Sequence, residues 1–343
     1  MRYEDAGVSV TRSDAIKDAV IREIRSTWNA DVAPLVGGFA GVMRLPSPPG
    51  TAGAPGLLAA TMDGVGTKLH LAQAAGRLAD AAADLVYHGA NDLLVHGARP
   101  LAFLDYLAQS RLDPEAVLAC VRGLARACRE VGAALLGGET AEMPDTYLPG
   151  VIDVAGCMLG TVGGSGPLDG ARVSPGDRVL GLAGSGLHTN GYSLARRVLA
   201  ASELALDRPL PGGAGESVGE ALLAPHRWYG RALLPLVESG RIRALAHVTG
   251  GGIAGNLVRV LPAGVQATVE RSAWVWPATF RALQALGDVE TAEMERVFNL
   301  GVGMILVLAP AHKDAALAQL TAAGEHPFRI GAITAGERSA RLV

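Results

Sequence analysis

Apolar runs of strand length that break into glycine-rich loops, each carrying polar side chains, recur through this 343-residue chain. "GLLAATM" leads into "DGVGTKL" (63–69), "GAALLGG" into "ETAEMPDTY", "DRVLGLA" into "GSGLHTNGYS" (184–193), and "IRALAHV" into "TGGGIAGN". With helical patterns between these runs, the chain is confined to mixed α/β folds, in which sheets and helices pack in layers. The 45 glycines fit that design, because they allow tight turns and close approach of backbone to a ligand. Aromatic residues make up only 4%, so Ala, Val and Leu build the core.

Along the chain, "SDAIKDAVIREIRST" (13–27) reads as an amphipathic opening helix with Ser13 as N-cap. Residues 34–56 are too rich in Gly and Pro for regular structure, apart from a short strand around Gly41 to Leu45. A strand at "GLLAATM", a helix at "DAAADLVYHGANDLLVHGA", a strand at "PLAFLDYLA", a helix from Asp113 to Val131, and strands at "GAALLGG" and "VIDVAGCMLGTV" complete the first half. Cys120 and Cys128 fall on the apolar face of that second helix and read as core residues. The Gly, Ser and Pro content of residues 163–176 marks a linker, dividing the chain into domains 1–165 and 166–343. Strands are expected in the second domain at "DRVLGLA", "IRALAHV", "GVQATVE", "GVGMILVL" and "HPFRIGAI", with helices opening near Asn190, Gly219, Ile253, Pro277 and Ala311.

A formal charge of -3 gives no field to draw nucleic acid or anionic lipid, which points to small-molecule partners. Three cysteines without a Cys-x-x-Cys pair argue against a disulfide framework or thiolate metal site. No apolar stretch approaches the roughly 18 residues of a membrane span, and the start lacks a signal-peptide pattern, so a cytoplasmic protein is expected.

In "DGVGTKL", Gly64 and Gly66 permit close backbone approach, Lys68 offers a point charge for phosphate, and Asp63 a ligand for a hard cation. Alone, such a segment is commonly just a turn with a capping aspartate. Asn91 and Asp92 sit among apolar neighbours in a predicted helix, either on a solvated face or with Asp92 as a second magnesium carboxylate. "LLGGETAEMPDTY" delivers Glu139 and Glu142 into a loop at a strand end, where a carboxylate serves a site or caps a turn. Asp63, Asp92 and Glu139 together would make an oxygen set for magnesium and a nucleotide triphosphate. The loops 184–193 and 247–256 offer backbone N–H groups, with Ser185, Thr189 and Asn190 beside the first, to an anion. Each also carries a histidine, His188 or His247.

Gly250, Gly252 and Gly255 spell G-x-G-x-x-G, with Glu270 at the distance of a dinucleotide fold's ribose acid. A nicotinamide dehydrogenase therefore competes, although it leaves the first domain's carboxylates idle and only about 70 residues to finish a β-α-β-α-β half. No Walker A sequence G-x-x-x-x-G-K-[ST] occurs.

Taken in order, "YEDAGV", "GGFAGVMRLP", "DGVGTKL", "ANDLLVHGARPLAFLDY", "GGETAEMPDTY", "DVAGCMLG", "GSGLHTNGYSLARR", "HVTGGGIAGNLVRVLP" and "FNLGVGMI" resemble the phosphoribosylformylglycinamidine cyclo-ligases, also called aminoimidazole ribonucleotide synthetases. Selenophosphate synthetase, thiamine-monophosphate kinase and a hydrogenase maturation protein share only the looser elements. The resemblance implies cyclisation of formylglycinamidine ribonucleotide to aminoimidazole ribonucleotide at the expense of ATP, through an iminophosphate, in purine biosynthesis. It places ATP at Asp63, Gly64, Gly66, Thr67, Lys68, Asp92, Gly138 and Glu139, with Mg2+ at Asp63, Asp92 and Glu139 and room for a monovalent cation. Substrate would meet Ser185, Gly186, His188, Asn190, Thr249, Gly250 and Gly251, with His188, His247 and Lys68 as the catalytic side chains. His247 would transfer a proton or hydrogen-bond phosphate. The implied fold is a homodimer whose N-terminal strands share a barrel, each copy adding a C-terminal α/β sandwich. The chain departs from the family near its start, where Lys17, Arg22 and Arg25 all compete as the basic residue near ATP, and "VAPLV" replaces a glycine-rich run. Another ATP enzyme of the superfamily and a nucleotide-binding scaffold without turnover remain as alternatives.

Overall fold

A computed structural model describes residues 1–6, 21, 23–33, 39–45, 56–163 and 166–343. The strands form two sheets. The first contains β1 (Gly41–Arg44), β2 (Leu57–Gly64), β3 (Ala98–Gln109), β4 (Ala134–Glu142) and β5 (Ile152–Val162), in the order β1-β2-β5-β3-β4. Only the β3/β4 pair is parallel among these. The second contains β6 (Arg178–Ala183), β7 (Ile242–His247), β8 (Val265–Val269), β9 (Val302–Leu308), β10 (Phe328–Ala335) and β11 (Ser339–Leu342), in the order β11-β8-β10-β6-β9-β7. The mixed α/β expectation holds in both halves. The opening helix at 13–27 lies largely outside the described residues, as do Lys17 and Arg22 and the 165/166 boundary; Arg25 stacks on Trp28.

Strand chemistry follows surroundings. In β5 burial alternates from Ile152 to Leu159, so one face packs inward. β9, "VGMILVL", is buried at every position and occupies the interior of its sheet between β6 and β7, which is why it reads as an unbroken apolar run.

Helices α1 (Lys68–Ala74), α2 (Leu78–Val95) and α3 (Pro114–Val131) follow the first sheet's strands. The start of α3 is set by Asp113, whose Oδ1 accepts from the Glu115 and Ala116 amides ahead of Pro114 at the first helical position. It stops at Gly132, φ 79°. α2 is different. Every residue from Ala81 to Val95 is buried, so the helix is covered all round. It packs on β2, β3, β5 and α3, and also touches β7 and a helix of the second half, α6 (Gly230–Glu238), introduced after α4 (Tyr192–Ser202) and α5 (Val218–Leu222). Leu85 and Val86 belong to the core of the first sheet, Leu94 and Val95 to the core of the second. α2 is thus the shared wall between the halves. The second half continues with α7 (Gly252–Leu257), α8 (Ala278–Gly287), α9 (Thr291–Val297) and α10 (Lys313–Ala322).

The α2/α3 contact is close at Gly123, where an added Cβ would lie 1.9 Å from the Ala79 carbonyl oxygen. Backbone cannot yield as a side chain does, so Gly123→Ala is expected to force the helices apart at a cost of about 1–3 kcal/mol. Urea denaturation measures it, and an unchanged midpoint would show that the helices separate freely.

Candidate active site

Asp84, His88 and Asp92 recur every four residues along α2 and so lie along one side of it. Asp84 accepts the His226 amide at 2.7 Å and the Lys68 ammonium on its other oxygen. Asn91 Nδ2 donates to the Arg227 carbonyl at 2.7 Å, and its Oδ1 accepts the Tyr229 amide at 3.2 Å. These bonds fasten α2 to the 226–229 segment of the second half. They also account for polar residues among apolar neighbours: Asn91 and Asp92 are buried and satisfied, and the solvated-face reading is excluded.

At the centre, His247 Nδ1 and Asp92 Oδ1 are 2.8 Å apart. His88 Nε2 lies 3.5 Å from both Asp63 Oδ2 and Asp92 Oδ2, while His88 Nδ1 sits 2.6 Å from Thr189 Oγ1. His226 Nε2 faces His247 Nε2 at 3.2 Å, and the His188 ring stacks on His226 with centroids 3.9 Å apart. Burial alone would push His88 down, but Asp92, Asp63 and Asp84 outweigh it and raise its pKa to about 9. Burial likewise works to raise Asp92, yet His88 and His247 hold its carboxyl far below the usual range. Desolvation raises Asp63, against the pull of His88 and Arg259. Burial lowers His188, His226 and His247, which disfavours charge on these three rings.

The loops leading from β6 and β7 converge beside this cluster. The chain leaves β7 through Gly251 at φ 95° and Gly252 at φ 64°, left-handed values that a side chain disfavours. Asn256 Nδ2 faces the carbonyls of Thr249, Gly250 and Gly252 at 3.2, 3.2 and 2.8 Å, which holds the loop in shape. A Cβ on Gly250 would sit 3.3 Å from Asn190 Oδ1, so the two glycine loops are neighbours. His188 is held at φ 61°, a strained value for a residue with a side chain. Its Nε2 accepts the Ser185 amide at 3.2 Å, and its buried Nδ1 has no partner among the described residues. Thr67 Oγ1 meets Ser193 Oγ at 3.0 Å, bringing "DGVGTK" against the start of α4.

Two expected site residues stand elsewhere. Lys68 is buried at the start of α1, ion-paired with Asp84 and donating to the His188 carbonyl at 2.9 Å. Burial opposes its charge, but Asp84 outweighs burial and raises its pKa. Its ammonium is therefore spent inside the protein and does not face an open loop. Glu139 lies on β4 opposite Tyr106, exposed, beside Gly138. Among the described residues the group within 4.8 Å that contains the carboxylates is Asp63, His88 and Asp92, without Glu139. Those two carboxylates fit a hard dication that keeps water or phosphate oxygens as its remaining ligands.

The dehydrogenase reading fails on topology. A dinucleotide fold needs a parallel strand beside the one that precedes its glycine loop. Here β7 pairs antiparallel with β9, the next strand β8 lies at the far side of the sheet, and α7 has six residues.

Residues 37–162 match the family model described as AIR synthase related protein, N-terminal domain, and residues 174–343 match its C-terminal domain. The phosphoribosylformylglycinamidine cyclo-ligase of Sorangium cellulosum (strain So ce56) is 44% identical over 336 residues, spanning 96% of this chain and 94% of that one. The cyclo-ligase of Myxococcus xanthus (strain DK1622) is 43% identical over 342 residues, spanning 99% and 98%. The chain belongs to the phosphoribosylformylglycinamidine cyclo-ligase family. The thiamine-monophosphate kinase of Stenotrophomonas maltophilia K279a shares the fold, with a TM-score of 0.63 at 20% identity over 96% of this chain and 95% of that one.

Sequence reasoning passed over His88, His226, Arg259 and Asp84. The i, i+4 recurrence of Asp84, His88 and Asp92 was a usable signal. Arg259, which stacks on Phe39 at 3.5 Å from the ring centroid and acts electrostatically on Asp63 and Asp92, left none, because it is joined to them only by folding. Among the described residues no helix is long and apolar enough to cross a membrane.

Proposed function

We propose that this cyclo-ligase closes an imidazole ring at the Asp63–His88–Asp92–His247 cluster, converting formylglycinamidine ribonucleotide and ATP to aminoimidazole ribonucleotide, ADP and phosphate. The observation that carries the site assignment is the Asp92–His247 bond, which joins the carboxylates of the first half to the glycine loops of the second. A formyl amide oxygen is a poor leaving group. Its attack on the γ-phosphorus of ATP releases ADP and gives an iminophosphate. The amidine nitrogen of the same molecule then bonds to the formyl carbon, and the C–O bond breaks with phosphate taking its electron pair. Loss of the proton on the attacking nitrogen completes the ring. Because the nucleophile is tethered, the protein mainly positions it and stabilises phosphoryl charge.

Asp63 and Asp92 would hold Mg2+, which when bound neutralises phosphate oxygens. Gly64, Gly66 and Thr67 would approach ATP with Gly138 and Glu139, the last assigned to the nucleotide because it stands apart from the two aspartates. Ser185, Gly186, His188, Asn190, Thr249, Gly250 and Gly251 would face substrate, and the unpartnered His188 Nδ1 is a donor suited to an anionic oxygen. Lys68 would act as a positioning residue for the His188 loop. We assign the protein to the cytoplasm and to a homodimer. Met62, Leu101, Leu104 and Leu136 are exposed on strands of the first sheet, an apolar surface that a second sheet would cover.

His247 presents its Nδ1–H to an ionised Asp92 and keeps a lone pair on Nε2, as a base requires. His247→Gln is expected to lower kcat by about 10^2–10^4-fold with the KM for ATP nearly unchanged, the loss typical of a removed acid–base group. Steady-state kinetics checks it; a raised KM at unchanged kcat would make His247 a phosphate ligand. The reaction itself is tested by ADP release with Mg-ATP, with and without formylglycinamidine ribonucleotide, scoring the arylamine by diazo colour. Substrate-dependent ADP with matching arylamine is expected. Folded protein that binds ATP and makes neither would move the reading to another superfamily activity.

A further inference from the structure

We propose that His88, His226 and His247 form a binding site for zinc, adjoining the carboxylate pair assigned to magnesium. One ring nitrogen from each of the three buried side chains lies within 4.8 Å of the other two. Tautomers follow from partners. The Asp92 carboxylate can only accept, so His247 carries its proton on Nδ1 and a lone pair on Nε2. The Arg227 carbonyl, 3.0 Å from His226 Nδ1, can also only accept, so His226 Nε2 too is a lone pair. In neutral rings two lone pairs would therefore face each other across the 3.2 Å between His226 Nε2 and His247 Nε2. That contact is repulsive unless a cation lies between them.

The spacing suits a metal. Tetrahedral zinc with Zn–N bonds of about 2.0–2.1 Å places its nitrogens about 3.3 Å apart. Imidazole favours a borderline dication such as Zn2+ over magnesium. His88 Nε2, beside Asp63 and Asp92, would complete three nitrogens and leave a carboxylate oxygen for the fourth position. Coordination through Nε2 displaces any proton that His88 carries there. The far nitrogen of each ring is held: Asp92 orients His247, the Arg227 carbonyl orients His226, and Thr189 meets His88 Nδ1. A cavity of about 470 Å3 beside the cluster is lined by His226 together with Asp80, Glu130, Arg126 and Arg231. Zinc on His247 Nε2 takes the lone pair that ring closure uses, which makes the bound metal an inhibitor. Only that consequence rests on the proposed mechanism; the site itself does not.

The full-length protein, stripped with chelator and dialysed, is titrated with Zn2+ by calorimetry, and with Co2+ by absorption spectroscopy, without nucleotide or substrate. One equivalent per chain is expected, and Co2+ is expected to give the visible ligand-field band of a four-coordinate site. His226→Gln should weaken binding by more than about 10-fold. His226→Cys should restore it and add a thiolate-to-cobalt charge-transfer band, which a structural role for His226 would not produce. His88→Gln, which leaves the His226–His247 pair intact, should weaken binding as well and serves if His226→Gln does not fold. The proposal is overturned by no saturable binding, by binding indifferent to His226→Gln and His88→Gln, or by a bound His226→Cys variant without the thiolate band. Since no ATP or substrate is present, none of these outcomes bears on the cyclo-ligase reaction, and failure of the ADP assay would not touch the zinc site.

Discussion

Asp92→Asn is expected to lower kcat by about 10^3-fold, equivalent to about 4 kcal/mol of activation free energy, in a protein that still folds. The size of the loss comes from what one charge does at this position. Asp92 fixes the His247 tautomer through a 2.8 Å bond, and with Asp63 it keeps His88 charged. It also supplies one of the two oxygens that converge for a dication. An amide oxygen can still accept the His247 N–H, so packing at this buried position is retained. The negative charge that opposes desolvation of His88 is lost, and so is a metal ligand. ADP release and arylamine formation measure the effect, and circular dichroism establishes the fold. Turnover near that of the parent protein would remove Asp92 from the reaction and leave it a structural link between the halves.

Lys68→Met is expected to destabilise the protein by about 3–5 kcal/mol, because removing one member of a buried ion pair leaves the other charged and unpaired. Both side chains of the Lys68–Asp84 pair are 1% exposed. The same ammonium holds the His188 carbonyl, so its loss should also loosen the strained turn at His188. Asp84→Asn in the Lys68→Met background should recover part of the stability, since the stranded charge is gone while an oxygen remains for the His226 amide. Chemical denaturation of the single and double variants gives the coupling. If Lys68 instead met phosphate, Lys68→Met would raise the KM for ATP and leave the denaturation midpoint in place.

Local chemistry was readable where it is local. The Asp113 cap, the alternation along β5 and the unbroken apolar run of β9 each follow from neighbours within a few residues, and each element stands where the pattern puts it. Short or irregular elements were less legible. The α6 helix contains Pro235, which ordinarily argues against a helix interior, yet the burial of Leu233, Leu234 and Leu236 holds it. β11 has four residues and exists because β8 is there to pair with it.

By itself, the sequence determined the layered α/β architecture, the family, the glycine loops and the list of polar residues that a nucleotide enzyme would use. Spacing and residue type suffice for these, since strands, helices and motifs are written over a few to a few tens of residues. Only the tertiary structure decided which of those residues meet. His226 and His247 approach His88 and Asp92 because α2 is shared between two cores, a fact of packing across more than 130 positions of chain: Asp92 and His247 are 155 residues apart, and Asn91 and Tyr229 138. The same packing turned Lys68 inward to Asp84 and left Glu139 on an exposed strand. Charge, tautomer and burial in this cluster depend on groups brought together across that distance, and a linear pattern carries no record of them.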